Sequence, residues 1–83
     1  MEKRIAILGI IIEDVNSVSQ VNSLLHDYGS WIVGRMGIPY RQRSVNIISI
    51  VLDAPQDAIN TLAGALGRLH GVTAKAVYSK MPE

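Results

Sequence analysis

Two segments of this chain carry large apolar residues on both of their alternate faces almost without a break, and that limits the folds open to it. From Lys3 to Ile12, one set of alternate residues is Ile5, Ile7 and Ile11, and the other is Ala6, Leu8, Ile10 and Ile12. From Val45 to Leu52, Val45, Ile47 and Val51 alternate with Ile48, Ile50 and Leu52. Runs of this length, rich in β-branched residues and without helical gaps, read as strands flanked on both sides within a sheet. The rest of the chain must supply their neighbours and cover at least one sheet face. With 83 residues there is room for one domain, residues 1–83, and no more.

The segments between them fit that demand. Asp14, Asn16 and Ser17 offer N-cap side chains before Val18, Val21, Leu24, Leu25 and Tyr28, whose spacing is one face of a helix ending at Gly29. Ser30 to Ile38 reads as a weaker strand, with a bend or bulge where Gly34 and Gly37 interrupt it, and Pro39 begins a polar connection. Asp53-Ala54-Pro55 opens a second helix whose buried stripe is Ala58, Ile59, Leu62, Ala63, Leu66 and Leu69. Gly64 and Gly67 inside it allow close packing, and Gly71 suits the C′ position. Val72 to Ser79 is the last strand, before a frayed Lys80 to Glu83 tail.

The order strand, helix, strand, strand, helix, strand, with right-handed crossovers, predicts an α+β fold, the ferredoxin-like βαββαβ two-layer sandwich: a four-stranded antiparallel sheet with two helices on one face. That arrangement puts the first and third strands in the centre, where the two fully apolar runs need to be. The second strand, with Arg35 and two glycines, and the fourth, with Thr73, Lys75 and Ser79, suit the edges.

Two helices cover one sheet face. The other leaves several large aliphatic side chains in water, at about 25 cal/mol per Å² of apolar surface. We therefore expect a homo-oligomer, a dimer or tetramer, formed through the sheet face or through edge strands that extend the sheet. Nearly half of the residues (48%) are hydrophobic and 18% are charged, which supports a shared apolar interface.

Composition also excludes chemistries. There is no cysteine, so disulfides, thiolate metal sites, iron–sulfur ligation and a thiol nucleophile are absent. A formal charge of +1 lacks the basic footprint of nucleic-acid binding, and the third strand has no aromatic residue for base stacking. No Gly-rich loop with Lys followed by Ser or Thr is present to cradle phosphate. The basic start and apolar run at the N-terminus resemble a secretory signal but meet Glu13 and Asp14 without a small-residue cleavage site, and no run reaches the ~20 residues of a membrane span. The expectation is a soluble, cytoplasmic protein that contacts neither membrane nor nucleic acid directly.

Among candidate functional side chains, His26 and His70 each lie near a helix end, where a capping or surface role suffices. Arg35, Arg41 and Arg43 read first as a solvated connection, the alternative being that with Tyr40 they receive an anion, and Trp31 fits core and interface equally well. No Ser has a His and Asp at recognisable spacing, so no enzyme activity is expected, and the sequence leaves any cofactor unknown.

The chain carries three family resemblances. Ile12-Glu13-Asp14-Val15-Asn16-Ser17-Val18, followed by Leu24-Leu25-His26-Asp27-Tyr28-Gly29, resembles the first strand–helix unit of ACT-type regulatory domains, with Asn16-Ser17 in place of that family's Pro-Gly pair. Leu69-His70-Gly71-Val72-Thr73-Ala74-Lys75-Ala76-Val77 resembles the close of the ACT-like C-terminal domain of nickel-responsive regulators, whose His and Cys ligands are not matched here. Over nearly its full length, most of all in Ile5-Ala6-Ile7-Leu8-Gly9-Ile10, in Tyr28 to Tyr40 and in Gly71-Val72-Thr73-Ala74-Lys75, the chain is similar to a small stand-alone ACT-like family of iron-only hydrogenase system regulators.

The resemblance implies a regulatory or accessory role tied to that hydrogenase system, with an unknown small effector and a partner protein. The expected effector site is the first strand–helix loop, Glu13, Asp14, Asn16 and Ser17, where helix N–H groups attract anionic groups. Gly34 and Gly37 would let the second strand approach the ligand closely. The alternative, implied by the nickel-regulator resemblance, is a transition-metal site shared between subunits and built on His26 or His70.

Overall fold

The computed structural model describes residues 2–80. Its elements are β1 (Arg4–Ile12), α1 (Val18–Asp27), β2 (Ile32–Tyr40), β3 (Val45–Ala54), α2 (Gln56–Gly67) and β4 (Val72–Tyr78), with single 3₁₀ turns at Val15–Ser17, Gly29–Trp31 and Arg41–Arg43. The four strands form one antiparallel sheet in the order β2-β3-β1-β4. This is the ferredoxin-like order, with the two fully apolar strands in the middle.

Strand parity decides which side chains meet the helices. Ala6, Leu8, Ile10 and Ile12 of β1 and Ile48, Ile50, Leu52 and Ala54 of β3 are buried, and they pack with Val21 and Leu25 of α1 and Ile59, Leu62 and Leu66 of α2. Each large side chain so buried contributes about 1.5–3 kcal/mol. Val18, Leu24, Tyr28 and Trp31 pack against the edge of this core, with the Tyr28 and Trp31 rings 6.1 Å apart and tilted.

The opposite parity is left open. Ile5, Ile7 and Ile11 of β1, Ile47 of β3, Met36, Ile38 and Tyr40 of β2 and Val77 of β4 are between 36% and 68% exposed. The expectation from alternation alone is met: one face is covered and the other is apolar and bare.

Several boundaries differ from the sequence reading, each for a physical reason. Pro39 and Tyr40 do not begin a connection but continue β2, opposite Asn46 and Val45. Proline lacks an N–H, and on an edge strand that donor is dispensable. The hairpin instead closes through the 3₁₀ turn and Ser44, which is left-handed at φ 55° and donates its N–H to the Arg41 carbonyl at 3.1 Å. The irregularity in β2 lies between Ile32 and Gly34, leaving Val33 as the extra residue.

Asp53 and Ala54 are strand residues, paired with Ile5 and Arg4, and Pro55 rather than Asp53 occupies the N-cap of α2. That helix stops at Gly67, earlier than the Leu69 stripe suggested. Gly64 and Gly67 are exposed and permit no close packing: a Cβ on Gly67 would meet nothing within 4 Å, and one on Gly64 only the Arg68 side chain. Residues 81–83 of the expected frayed tail lie outside the described residues.

Candidate functional site

The loop after β1 and the turn before β4 lie side by side, because β1 and β4 pair with Ile12 opposite Val72. Glu13 donates its backbone N–H to the Gly71 carbonyl at 2.7 Å. Gly71 is left-handed, with φ 69°, and a Cβ there would lie 2.7 Å from the Asp14 Cβ. Glycine is required at this crossing twice over, for its backbone conformation and for space.

Asp14 is the hub of the junction. One carboxylate oxygen accepts the Asn16 N–H at 3.0 Å, and the other accepts from His70 Nδ1 at 2.7 Å. These bonds hold the Asp14 carboxyl below its ordinary value of 3.8, the Asn16 N–H first and the His70 ring second. Ser17 is buried and donates its hydroxyl to the His70 carbonyl at 2.6 Å. The His70 ring itself stands in solvent, its side chain 89% exposed, and its Nε2 points to no described partner.

Of the predicted effector residues, the structure therefore brings Glu13, Asp14, Asn16 and Ser17 together, but largely to serve one another. The N–H groups of Asn16, Ser17 and Val18 are taken by the Asp14 side chain, the Asp14 carbonyl and the Val15 carbonyl. Gly34 and Gly37 sit apart from them on β2, each with open space where a side chain would stand.

Gly37 does line a cleft. A cavity of about 230 Å³ lies between α1 and β2, walled by Val18, Asn22, Arg35, Gly37, Pro39 and Asn46 among others. Arg35 donates to the Asn22 side-chain oxygen at 3.1 Å across it. A second cavity of about 430 Å³ has Pro39 and Asn46 in common with the first and adds Val15 from the first loop, with Tyr40, Arg41 and Ser44 from the hairpin end. From sequence, Tyr40 stands with Arg35, Arg41 and Arg43 as an anion-receiving alternative, whereas Asn22, Asn46 and Ser44 were not singled out for binding. They come from three different elements, and no spacing rule connects them. A larger cavity, about 470 Å³, lies between the outer faces of α1 and α2 beside Arg68 and holds none of the predicted residues.

The second histidine, His26, is exposed in the last turn of α1. Among the described residues no three His, Asp or Glu side chains gather as a metal would require, and no helix is long and apolar enough to cross a membrane.

A family described as "TM1266-like: Iron-only hydrogenase system regulator, putative" matches residues 4–76. The chain belongs to the TM1266-like family. The match runs from the first residue of β1 well into β4, and so takes in the whole αβ framework, the junction and the cleft.

The structure of the uncharacterized protein TM1266 from Thermotoga maritima superposes with a TM-score of 0.91 at 40% identity, over 95% of this chain and 100% of that one. A formyltetrahydrofolate deformylase from Pseudomonas putida KT2440 shares the fold at a TM-score of 0.68 and 13% identity, over 93% of this chain but 29% of that one. No curated protein sequence matches the chain. The family's description is regulatory rather than catalytic.

Proposed function

We propose that this chain is a non-enzymatic regulatory or accessory module of the iron-only hydrogenase system, one that binds a small effector and works as a homo-oligomer. The single observation that carries the reading is the bare apolar sheet face in a chain whose family is described as regulatory. A monomer would hold that face in water at continual cost.

The effector site we assign is the pair of adjoining cavities between α1, the first loop and the β2–β3 hairpin. Arg35 and Arg41 offer charge, and Asn22, Asn46 and Tyr40 offer directional hydrogen bonds. That set suits a small molecule carrying a carboxylate or phosphate group. Glu13, Asp14, Asn16 and Ser17 set the position of Val15, which lines the cleft, and Gly37 keeps its β2 wall low.

The layout also couples the two features. Gly37 faces the cleft while its neighbours Met36 and Ile38 stand on the bare face, so β2 is shared by ligand and interface. A ligand that binds one assembly state better than another shifts the population by that difference in affinity, and by no more.

Thermal-shift screening against amino acids, other small carboxylates, nucleotides and inorganic phosphate tests the binding reading. The expected outcome is a stabilising shift with an anionic ligand that disappears in Arg35→Ala and in Gly37→Phe. No shift with any of them counts against it.

One observation favours a second reading, a transition-metal site. His70 donates through Nδ1 to Asp14, an arrangement that fixes the ring's tautomer and leaves Nε2 free as a ligand. The remaining ligands would have to come from another subunit, His26 among the candidates. A shift specific to one divalent metal, lost in His70→Ala or His26→Ala, would support this reading over the first.

A further inference from the structure

The bare face is not uniformly apolar, and its two charges point to how a second copy sits on it. Asp53 lies on this face of β3, opposite Ile5; its Oδ1 is covered within the subunit and has no hydrogen-bond partner among the described residues, which leaves the carboxylate's charge unanswered and Oδ2 as the oxygen a second copy can reach. Lys75 lies on the same face of β4, opposite Gly9, exposed and paired with no carboxylate among the described residues. One acid and one base, each unanswered and both embedded in the same apolar patch, are complementary between two copies of one surface. An isologous interface brings residue i of one copy to residue j of the other, and j to i.

We infer that two copies pack face to face through their bare sheet faces, with Asp53 of each subunit against Lys75 of the other. This rests on the self-associating reading proposed above and adds the register. Four strands of seven to ten residues make a rectangle of roughly 19 by 30 Å at ~4.8 Å between strands and ~3.3 Å along them. Full overlap of two such faces would, with side-chain relief, approach the ~800 Å² per partner of a stable complex, and sheets that cross steeply share roughly two-thirds of that, at the low end of specific interfaces.

The same lattice locates the two-fold axis. Asp53 and Lys75 are two strands and four residues apart, so the point midway between them is Ile7. The line through Ile7 perpendicular to their separation runs diagonally across the sheet to Met36. Ile7 and Met36 therefore each meet their own counterpart, and the strands of the two sheets cross steeply, in the orthogonal class of sheet packing.

Gly9 fits this arrangement. It sits bare in the centre of the face, and a Cβ there would meet only the Lys75 carbonyl, at an ordinary 3.9 Å. The subunit's own packing does not require glycine at that place, and the missing side chain leaves a hollow in the face that a side chain of the second copy can fill.

The test is sedimentation equilibrium on the full chain, with circular dichroism to confirm that each variant is folded. Wild type should dimerise at micromolar concentration. Asp53→Lys and Lys75→Glu should each weaken the dimer about tenfold or more, and the double variant should return close to wild type. A wild type that stays monomeric at 100 μM, on the order of a hundred times a micromolar Kd, would overturn both the register and the self-associating reading. A dimer that persists, but whose double variant is no better than the singles, would overturn the register alone.

A second measurement does not depend on the charges. The native chain has no cysteine, so single-thiol variants report one position each. A short bis-thiol reagent should link Met36→Cys and Ile7→Cys subunits, and should leave Thr73→Cys, at a far corner of the face, unlinked. The reverse pattern would overturn the register even if the charge variants behaved as expected.

Discussion

Replacing Gly71 by alanine attacks the crossing of the first loop and the turn before β4, and its effect can be worked from the structure. Gly71 is left-handed at φ 69°, a conformation that costs an L-residue about 1–2 kcal/mol. The added Cβ would lie 2.7 Å from the Asp14 Cβ, 2.9 Å from its N and 3.3 Å from its Cα. Those atoms have little freedom to retreat. Glu13 N–H is bonded to the Gly71 carbonyl at 2.7 Å, and the Asp14 side chain is held by Asn16 and His70. Overpacking of this kind adds about 1–3 kcal/mol, for a total near 3 kcal/mol. Against a global stability of roughly 4–12 kcal/mol for a chain of this length, that lowers Tm by about 10–20 °C. The control is Gly64→Ala, exposed within α2, where the new Cβ meets only Arg68 Nη1 at 3.5 Å. There, helix propensity predicts a gain of up to about 1 kcal/mol. Urea unfolding followed by far-UV circular dichroism and Trp31 fluorescence, at one protein concentration because association shifts apparent stability, measures both. A Gly71→Ala variant within about 0.5 kcal/mol of the parent, the range of an ordinary surface substitution, would show that the crossing does not need glycine, as would two changes of the same sign.

Ser17→Ala removes a buried hydroxyl that donates to the His70 carbonyl at 2.6 Å, and chemical denaturation should show a loss of about 1–2 kcal/mol. Asp14 is held below its ordinary value of 3.8 in the folded chain. Its contribution to stability is therefore complete above that value and is lost as pH falls below 3.8 through the lowered one. Asp14→Asn should flatten the acid limb of the stability–pH profile in that window. Ile10→Ala and Ile11→Ala are neighbouring truncations on opposite faces, 0% and 44% exposed. The first should cost about 2–5 kcal/mol of subunit stability. The second should cost much less in a dilute sample and show its effect in sedimentation instead.

Much of the fold was legible because the decisive signals are local and repeat every two residues. Both parities of β1 and β3 are apolar, which forces them to the centre, and Arg35 and Lys75 belong where the edges are. The errors fall where a local signal met a tertiary one. Asp53-Ala54-Pro55 carries a helix-opening pattern, but pairing of Asp53 with Ile5 and of Ala54 with Arg4 extends β3 through it. Pro39 reads as a breaker only where its missing N–H matters, and the outer side of β2 makes no use of it.

The junction at Asp14 was illegible for a different reason. Asp14 and His70 are 56 residues apart, and no spacing rule joins them. They meet because β1 and β4 pair with Ile12 opposite Val72, and continuing that register two residues past both strand ends puts Asp14 opposite His70. Apolar alternation fixes register only to within steps of two, since a slip of one residue exchanges the faces while a slip of two preserves them. A hairpin turn would remove that ambiguity, but β1 and β4 are the first and last strands and share no turn. The choice falls to tertiary contacts such as Gly71, the residue that admits Asp14 at 2.7 Å. A substitution at Gly71 is thus expected to disturb the pairing of β1 with β4 as well as the loop, with hydrogen exchange at Ile12 and Val72 rising before exchange at Leu8 and Ala76, deeper in the same ladder. Equal loss of protection along the whole ladder would show that the register is held elsewhere.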